Sequence, residues 1–261
     1  MAQVSSISRV GTTEPFYLQV ARNQISFHKS NFKFGFNADV DDSLETVWAQ
    51  GGLYSYLASA SVLKVSSSST ADTSAGTGAR TVELFGLDTN YDEINETVTL
   101  NGQTVVNTTN EFLRINRMVI RSAGTGGQNA GVIYAGTGTV TTGVPANKYA
   151  TIAIGDNQTV MALWTVPRGY TAYLLQTDIT VATTQNNKYC TVHLVARPNG
   201  EVFQIKDKFV KSESSVHQTY TIPLKFEEKT DIEVRAIGDS AGADIAISAG
   251  LDIIYIQNDG A

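Results

Sequence analysis

Two short β runs flank an Asn-Gly pair near the middle of the chain, and no other feature narrows the fold so much. Thr97–Leu100 leads into Asn101-Gly102, and Gln103–Val106 follows it. Asn and Gly best tolerate the positive φ that a tight type I′ turn requires, so the spacing predicts a β-hairpin. The flanking residues alternate. Ile94, Val98 and Leu100 share one parity, while Asn95, Thr97 and Thr99 share the other, as a strand with one dry and one wet face requires.

The same grammar strengthens toward the C-terminus. Candidate strands run over Tyr149–Ile154, Gln158–Val166, Tyr170–Val181, Lys188–Arg197, Glu201–Val210, Val216–Phe226, Asp231–Gly238 and Asp244–Gln257. Turn chemistry separates them, including Pro167-Arg168-Gly169 and Pro198-Asn199-Gly200. So many short strands in so little chain is the count expected of a jelly roll or a similar sandwich. Tyr173, Leu175, Thr177, Ile179 and Val181 are expected on one face. The last strand ends nearly continuously apolar, so it is either central in its sheet or covered by a partner subunit. On the second alternative Ile253 and Tyr255 become interface candidates, and self-association, as a homotrimer, is expected.

Upstream, Leu53–Val65 reads as one or two strands, and Ser66–Arg80 as a low-complexity polar loop at the surface. Gly-Thr-Gly occurs at Gly124–Gly126 and Gly136–Gly138, with no helical pattern after it to complete a phosphate cradle. Gly131–Ala135 and Thr137–Thr141 are therefore expected as strands joined by glycine turns. Residues 1–50 read differently. Phe16–Val20 and Gln24–Phe27 are strand-like, and Asp42-Ser43 could cap a single helical turn over Leu44–Ala49. Phe16, Phe27, Phe32, Phe34 and Phe36 crowd this leader, and the last three alternate strictly, so one face carries three rings that must be covered. The cover is either the chain's own domain or a neighbouring subunit onto which the leader docks as an arm. The expected fold is thus all-β, with two packed antiparallel β-sandwich units. An extended N-terminal arm spans residues 1–50, a first sandwich 51–155, and a jelly-roll-like sandwich 156–261.

Composition bears on function. Of 261 residues, 42% are hydrophobic, enough for real cores, and only 17% are charged. The net charge of −6 and the absence of a basic track argue against direct nucleic-acid binding. Arg114, Arg117 and Arg121 are few, lie in a strand-like run, and read as a solvated or salt-bridged sheet face. Cys190 is the only cysteine, so no intrachain disulfide forms, and it reads as a small buried residue. With no disulfide and no apolar segment after Met1 of the kind that directs secretion, folding in a reducing cytoplasm is expected. No run reaches the length needed to span a membrane as a helix. His28, His193 and His217 lack zinc-ligand spacing, and the groups Asp39, Asp41, Asp42 and Asp88, Asp92, Glu93 lack the EF-hand pattern. No nucleophile motif is present. The expectation is a non-enzymatic protein with no cofactor and no metal.

Ala150–Leu175, ATIAIGDNQTVMALWTVPRGYTAYLL, resembles a phrase common in virion proteins of tailed bacteriophages, especially those of aquatic bacteria. The shared positions are Asn157-Gln158-Thr159, Thr165-Val166-Pro167, Gly169 and Thr171–Leu174. Tyr91–Val106 with Asn116–Arg121 is similar to an upstream portion of the same proteins. The resemblance implies a virion structural protein, either a capsid decoration (cement) protein or a tail, baseplate or fibre-attachment component that could meet a host glycan. Cement proteins are β-rich, often trimeric, and clamp neighbouring major capsid subunits with arms and loops. On this expectation the partner is the major capsid protein of the same virion, and the chain sits on the capsid surface.

Overall fold

The structure, a computed structural model, describes residues 14–258 except 186, 213 and 243. The chain opens with a one-and-a-half-turn helix α1 (Phe16–Ala21), then β1 (His28–Val40) and the two-residue β2 (Glu45–Thr46). A block of seven strands follows: β3 (Ser61–Ser67), β4 (Ala79–Leu87), β5 (Glu93–Thr99), β6 (Val106–Phe112), β7 (Arg114–Ala123), β8 (Ile133–Thr141) and β9 (Val144–Ile152). The last seven are β10 (Leu163–Thr165), β11 (Tyr170–Thr183), β12 (Cys190–Arg197), β13 (Gln204–Lys211), β14 (Ser214–Phe226), β15 (Asp231–Gly238) and β16 (Ile245–Gln257). The protein is all-β.

Two sheets of order β1-β16-β11-β14 and β10-β15-β12-β13 face each other across one core, which includes Val40, Leu174, Ile179, Val192, Leu194, Val234, Ile247 and Leu251. β2 also pairs with β15, two positions along from β10 and in the same antiparallel sense. Between them Val47 N–H donates to Val234 O and Val234 N–H donates to Ala162 O, both at 2.9 Å. β2 and β10 are therefore two halves of one interrupted strand. Counting them as one, the sheets read first-eighth-third-sixth and second-seventh-fourth-fifth, the double Greek-key order of a jelly roll.

The chain between the half-strands forms the second sandwich. Sheets β6-β3-β8-β9 and β5-β4-β7 enclose Leu63, Leu84, Phe112, Ile115, Met118 and Ile133. It leaves and rejoins the jelly roll through a neck of two adjacent segments: Trp48 bridges Met161, and Ala49 N–H donates to Val160 O at 3.1 Å. Gly35 of β1 crosses this neck so closely that a Cβ would lie 2.2 Å from both Ala162 N and Val47 O.

This arrangement corrects several expectations. Residues 28–49 are not a free arm, because β1 pairs with β16 from His28–Ile256 to Val40–Ile245 and supplies the jelly roll's first strand. Residues 156–261 alone would lack that strand and half of the next. The part of the arm before residue 14 lies outside the described residues. Phe16–Val20 is helical rather than extended: Pro15, tolerated at a helix start, precedes it, and Asn23 at φ 55° ends the turn. Gln24–Phe27 is a turn, and Leu44–Ala49 holds β2 rather than a helical turn. Asn101-Gly102 does turn, with Thr104 N–H donating to Asn101 O at 3.0 Å, but only Gly102 takes positive φ. The strands it joins enter opposite sheets, because Val98 and Leu100 are held in the core on one side while Asn101 bridges Thr73. A bulge at Leu175 reverses parity in β11, so Tyr173 and Leu175 do not share a face with Thr177, Ile179 and Val181. Gly131–Ala135 and Thr137–Thr141 contribute to one strand, β8.

The Ser66–Arg80 segment is likewise organised rather than loose. Asp72 is fully buried within it and accepts from Ala79 N–H (2.7 Å), Ala130 N–H (2.8 Å), Gly131 N–H (2.8 Å) and Ser67 Oγ (2.6 Å). Asp72→Ala strands those donors and is expected to cost about 3 kcal/mol or more in urea unfolding. A loss within about 0.5 kcal/mol, the range of an ordinary surface change, would contradict this role.

Candidate functional site

Along β1 the side chains alternate between core and outside. Lys33, Gly35 and Asn37 are buried, whereas Phe32 and Phe36 are 56% and 42% exposed, with Phe34 half-buried between them. The three rings form a row on the outer face of the β1-β16-β11-β14 sheet. Phe32 and Phe34 stack at 5.7 Å between centroids. The cross-strand partners are small or polar: Phe32 opposes Asp252, Phe34 opposes Gly250 and Phe36 opposes Ser248. Gly250 leaves room for the Phe32 ring, whose edge would meet a Cβ there at 3.2 Å.

Helix α1 extends this apolar surface. Val20 is buried, while Phe16, Tyr17 and Leu18 remain exposed, and Phe16 packs edge-on to Tyr17 and to His28. Phe27, at φ 65°, is exposed beside the start of β1. A groove of about 450 Å³ runs between α1 and the sheet, lined by Tyr17, Phe32, Leu175, Asp252 and Ile254 among others. Farther across, the face turns polar: Asp178 meets His217 Nδ1 at 2.5 Å and accepts from Gln176 Nε2 at 2.9 Å. Burial and the neighbouring Asp178 carboxylate hold the Asp252 carboxyl above its ordinary range.

Of the interface residues expected from sequence, Phe32 and Phe36 share one outer face with Phe34 between them, Phe16 lies at its end on His28, and Phe27 is exposed in the turn before β1. Ile253 and Tyr255 do not belong to it. They are 2% and 8% exposed and point into the jelly-roll core, Tyr255 packing edge-on against Trp164 at 5.2 Å. β16 is apolar because it lies between β1 and β11, so its composition needs no partner subunit.

A second feature escaped the sequence reading. The outer face of β15 is covered by the inserted sandwich, so Asp231, Glu233 and Arg235 sit in a buried ionic network. Asp231 receives Arg114 of β7 in a two-pronged contact (2.8 and 3.2 Å), Arg197 at 2.6 Å and Thr165 Oγ1 at 2.6 Å. Glu233, with no exposed surface, pairs with Arg235 at 3.0 Å and accepts from Thr46 Oγ1 and Tyr56 OH. The Arg197 guanidinium lies 4.6 Å from both the Tyr56 and Phe203 rings. Arg168 with Asp92 (2.7 Å) and Lys29 with Glu93 (2.7 Å) tie the rims of the two units. The pairing fixes how the insertion stands on the jelly roll. Of the arginines read as a solvated or salt-bridged sheet face, Arg114 is salt-bridged and buried, whereas Arg117 and Arg121 remain outside, on Gln158 and Glu83.

Among the described residues no three His, Cys, Asp or Glu side chains are placed to hold a metal. Burial pushes the Cys190 thiol up to about 11. No helix among the described residues is long and apolar enough to cross a membrane.

No protein family and no curated protein matches the sequence. Among solved structures, the chain is similar to one in the structure of the infectious bursal disease virus Gt strain, with 11% sequence identity, 94% of this chain and 78% of that chain covered. The TM-score is 0.23, too low for that likeness to support any argument about this protein.

Proposed function

We propose that the chain is a non-enzymatic structural component of a tailed-bacteriophage virion, a capsid decoration protein seated on the major capsid protein. The observation that carries the reading is the exposed row of Phe32 and Phe36 on the outer face of β1, continued by Tyr17 across the groove. Contiguous apolar surface of this kind marks a docking site. The sheet, rather than a free arm, would do the gripping, and self-association moves from β16 to the same row. Repeated weak contacts across many capsid subunits give avidity with no catalysis, nucleic acid or membrane involved.

Purified protein added to capsids stripped of decoration tests this by co-sedimentation. The wild type is expected to bind, and Phe32→Ser with Phe36→Ser to lose about tenfold or more in affinity, as removal of an aromatic anchor does. Both rings are exposed, so unfolding midpoints should barely change. Wild-type protein that stays in the supernatant, or double-variant protein that binds equally well, would overturn the proposal.

A further inference from the structure

Between the two sandwiches lies an open cleft of about 420 Å³, within the size range of small-molecule sites. β1 with Trp164 and Tyr255 makes one wall, and the outer face of β4, β5 and β7 makes the other. Phe32 and Phe34 of the docking row border this cleft, and its wall carboxylate Glu93 is tied to Lys29, but Asn31, Lys33 and Arg117 belong neither to the row nor to the ionic network around Asp231.

Lys33 is the anomaly within it. The side chain is 6% exposed, its Nζ donates to the backbone carbonyl of Asn116, and no carboxylate pairs with it among the described residues. Burial and the nearby Arg117 guanidinium push its ammonium down to about 7. Among the described residues Arg117 is held by a neutral amide alone, Gln158 Oε1 at 2.6 Å. The carboxylate in the cleft wall, Glu93, is already engaged by Lys29 at 2.7 Å and by the Tyr255 hydroxyl at 3.4 Å. Lys33, its charge suppressed, and Arg117 therefore face one cavity with no carboxylate of their own among the described residues, and an entering anion would restore the Lys33 charge and pair both.

The neutral lining narrows the class of anion. The Asn31 amide makes no hydrogen bond among the described residues, and Asn116 uses only Oδ1, which accepts from Thr165 N–H at 3.2 Å. Phe34 and Phe85 add aromatic surface. A bare inorganic anion would leave amides and rings unused, whereas a sugar ring presents hydroxyls to the first and C–H faces to the second. We propose that this cleft binds a carboxylated sugar, with Lys33 and Arg117 on the carboxylate and Asn31 and Asn116 on ring hydroxyls. The site would serve a virion protein at any position in the particle.

Calorimetric titration of the full chain with D-glucuronate, D-glucose and acetate tests it. Glucuronate is expected to bind at least about tenfold more tightly than glucose, which lacks the charge, and than acetate, which lacks the ring. Lys33→Met and Arg117→Gln should each weaken glucuronate by about tenfold or more. Arg117 is on the outer sheet face, so its variant keeps the test valid if Lys33→Met folds poorly. Saturable glucose binding as tight as glucuronate, acetate binding as tight as glucuronate, no glucuronate binding, or an Arg117→Gln protein that binds like wild type would each overturn the proposal. Phe32 borders the cleft but Phe36 does not, so Phe36→Ser alone in the capsid assay and Arg117→Gln in the titration let either proposal fail alone.

Discussion

Asp231→Ala is expected to lower unfolding free energy by about 3–5 kcal/mol, the cost of leaving buried charge without its partner. Asp231 is 2% exposed and is the shared acceptor for Arg114, Arg197 and Thr165, so its loss leaves two guanidiniums facing each other under the inserted sandwich. Arg114→Ala, which leaves Arg197 to neutralise Asp231, should cost less. The difference between the two variants in urea unfolding measures how far the network is shared. Equal losses would mean that only the Arg114–Asp231 pair matters, and a loss under about 1 kcal/mol for Asp231→Ala would mean the network is solvated like a surface pair. The double replacement of Arg114 and Asp231 by apolar residues of similar volume should recover much of the loss, since buried ion pairs are often replaceable as units.

Gly35→Ala is expected to be as damaging, for a steric reason. Its Cβ would sit 2.2 Å from Ala162 N and Val47 O, both backbone atoms of the neck, so no side chain can swing aside. Overpacking against backbone should cost about 3 kcal/mol or more, and accumulation of unfolded protein is the visible sign. Gly169→Ala is the contrast: its φ of 77° strains any side chain, but nothing lies within 4 Å of the added Cβ. That change should cost about 1–2 kcal/mol from backbone strain alone. If Gly35→Ala costs no more than Gly169→Ala, the neck is looser than its geometry implies.

The local grammar of the fold was legible in the sequence to an unusual depth in places. Asp231–Gly238 was read with the bounds that β15 has, and β11, β12, β14 and β16 were read to within a few residues. Their alternation and turn residues are local properties, so a local reading finds them. The pairing of distant segments was not legible. β2 and β10 hold two and three residues, too short to show a period, and only together with β15 do they become one strand. The reading of residues 1–50 as an arm failed for a related reason. β1 alternates, but Lys33, Gly35 and Asn37 occupy the core-side positions where apolar residues would have signalled burial. Gly35 between two phenylalanines was the usable hint, since glycine inside a strand often marks the close approach of another backbone.

The candidate site divides the same way. The aromatic row could be seen because Phe32, Phe34 and Phe36 declare themselves by spacing. Ile253 and Tyr255 misled because an apolar strand has two explanations, and centrality in the sheet was the one that applied. The ionic network could not be seen, because Asp-Ile-Glu-Val-Arg at 231–235 looks like an ordinary strand with a wet face. Only the insertion of a second sandwich covers that face, and nothing local to β15 announces the cover.

A density map of the intact virion is the most direct test of the central claim, that this jelly roll works by gripping neighbours through its outer aromatic face. The account predicts the chain on the capsid exterior, with Phe32 and Phe36 buried against major capsid subunits. A chain placed on the tail, or one on the capsid whose Phe32–Phe36 row faces solvent, would contradict it.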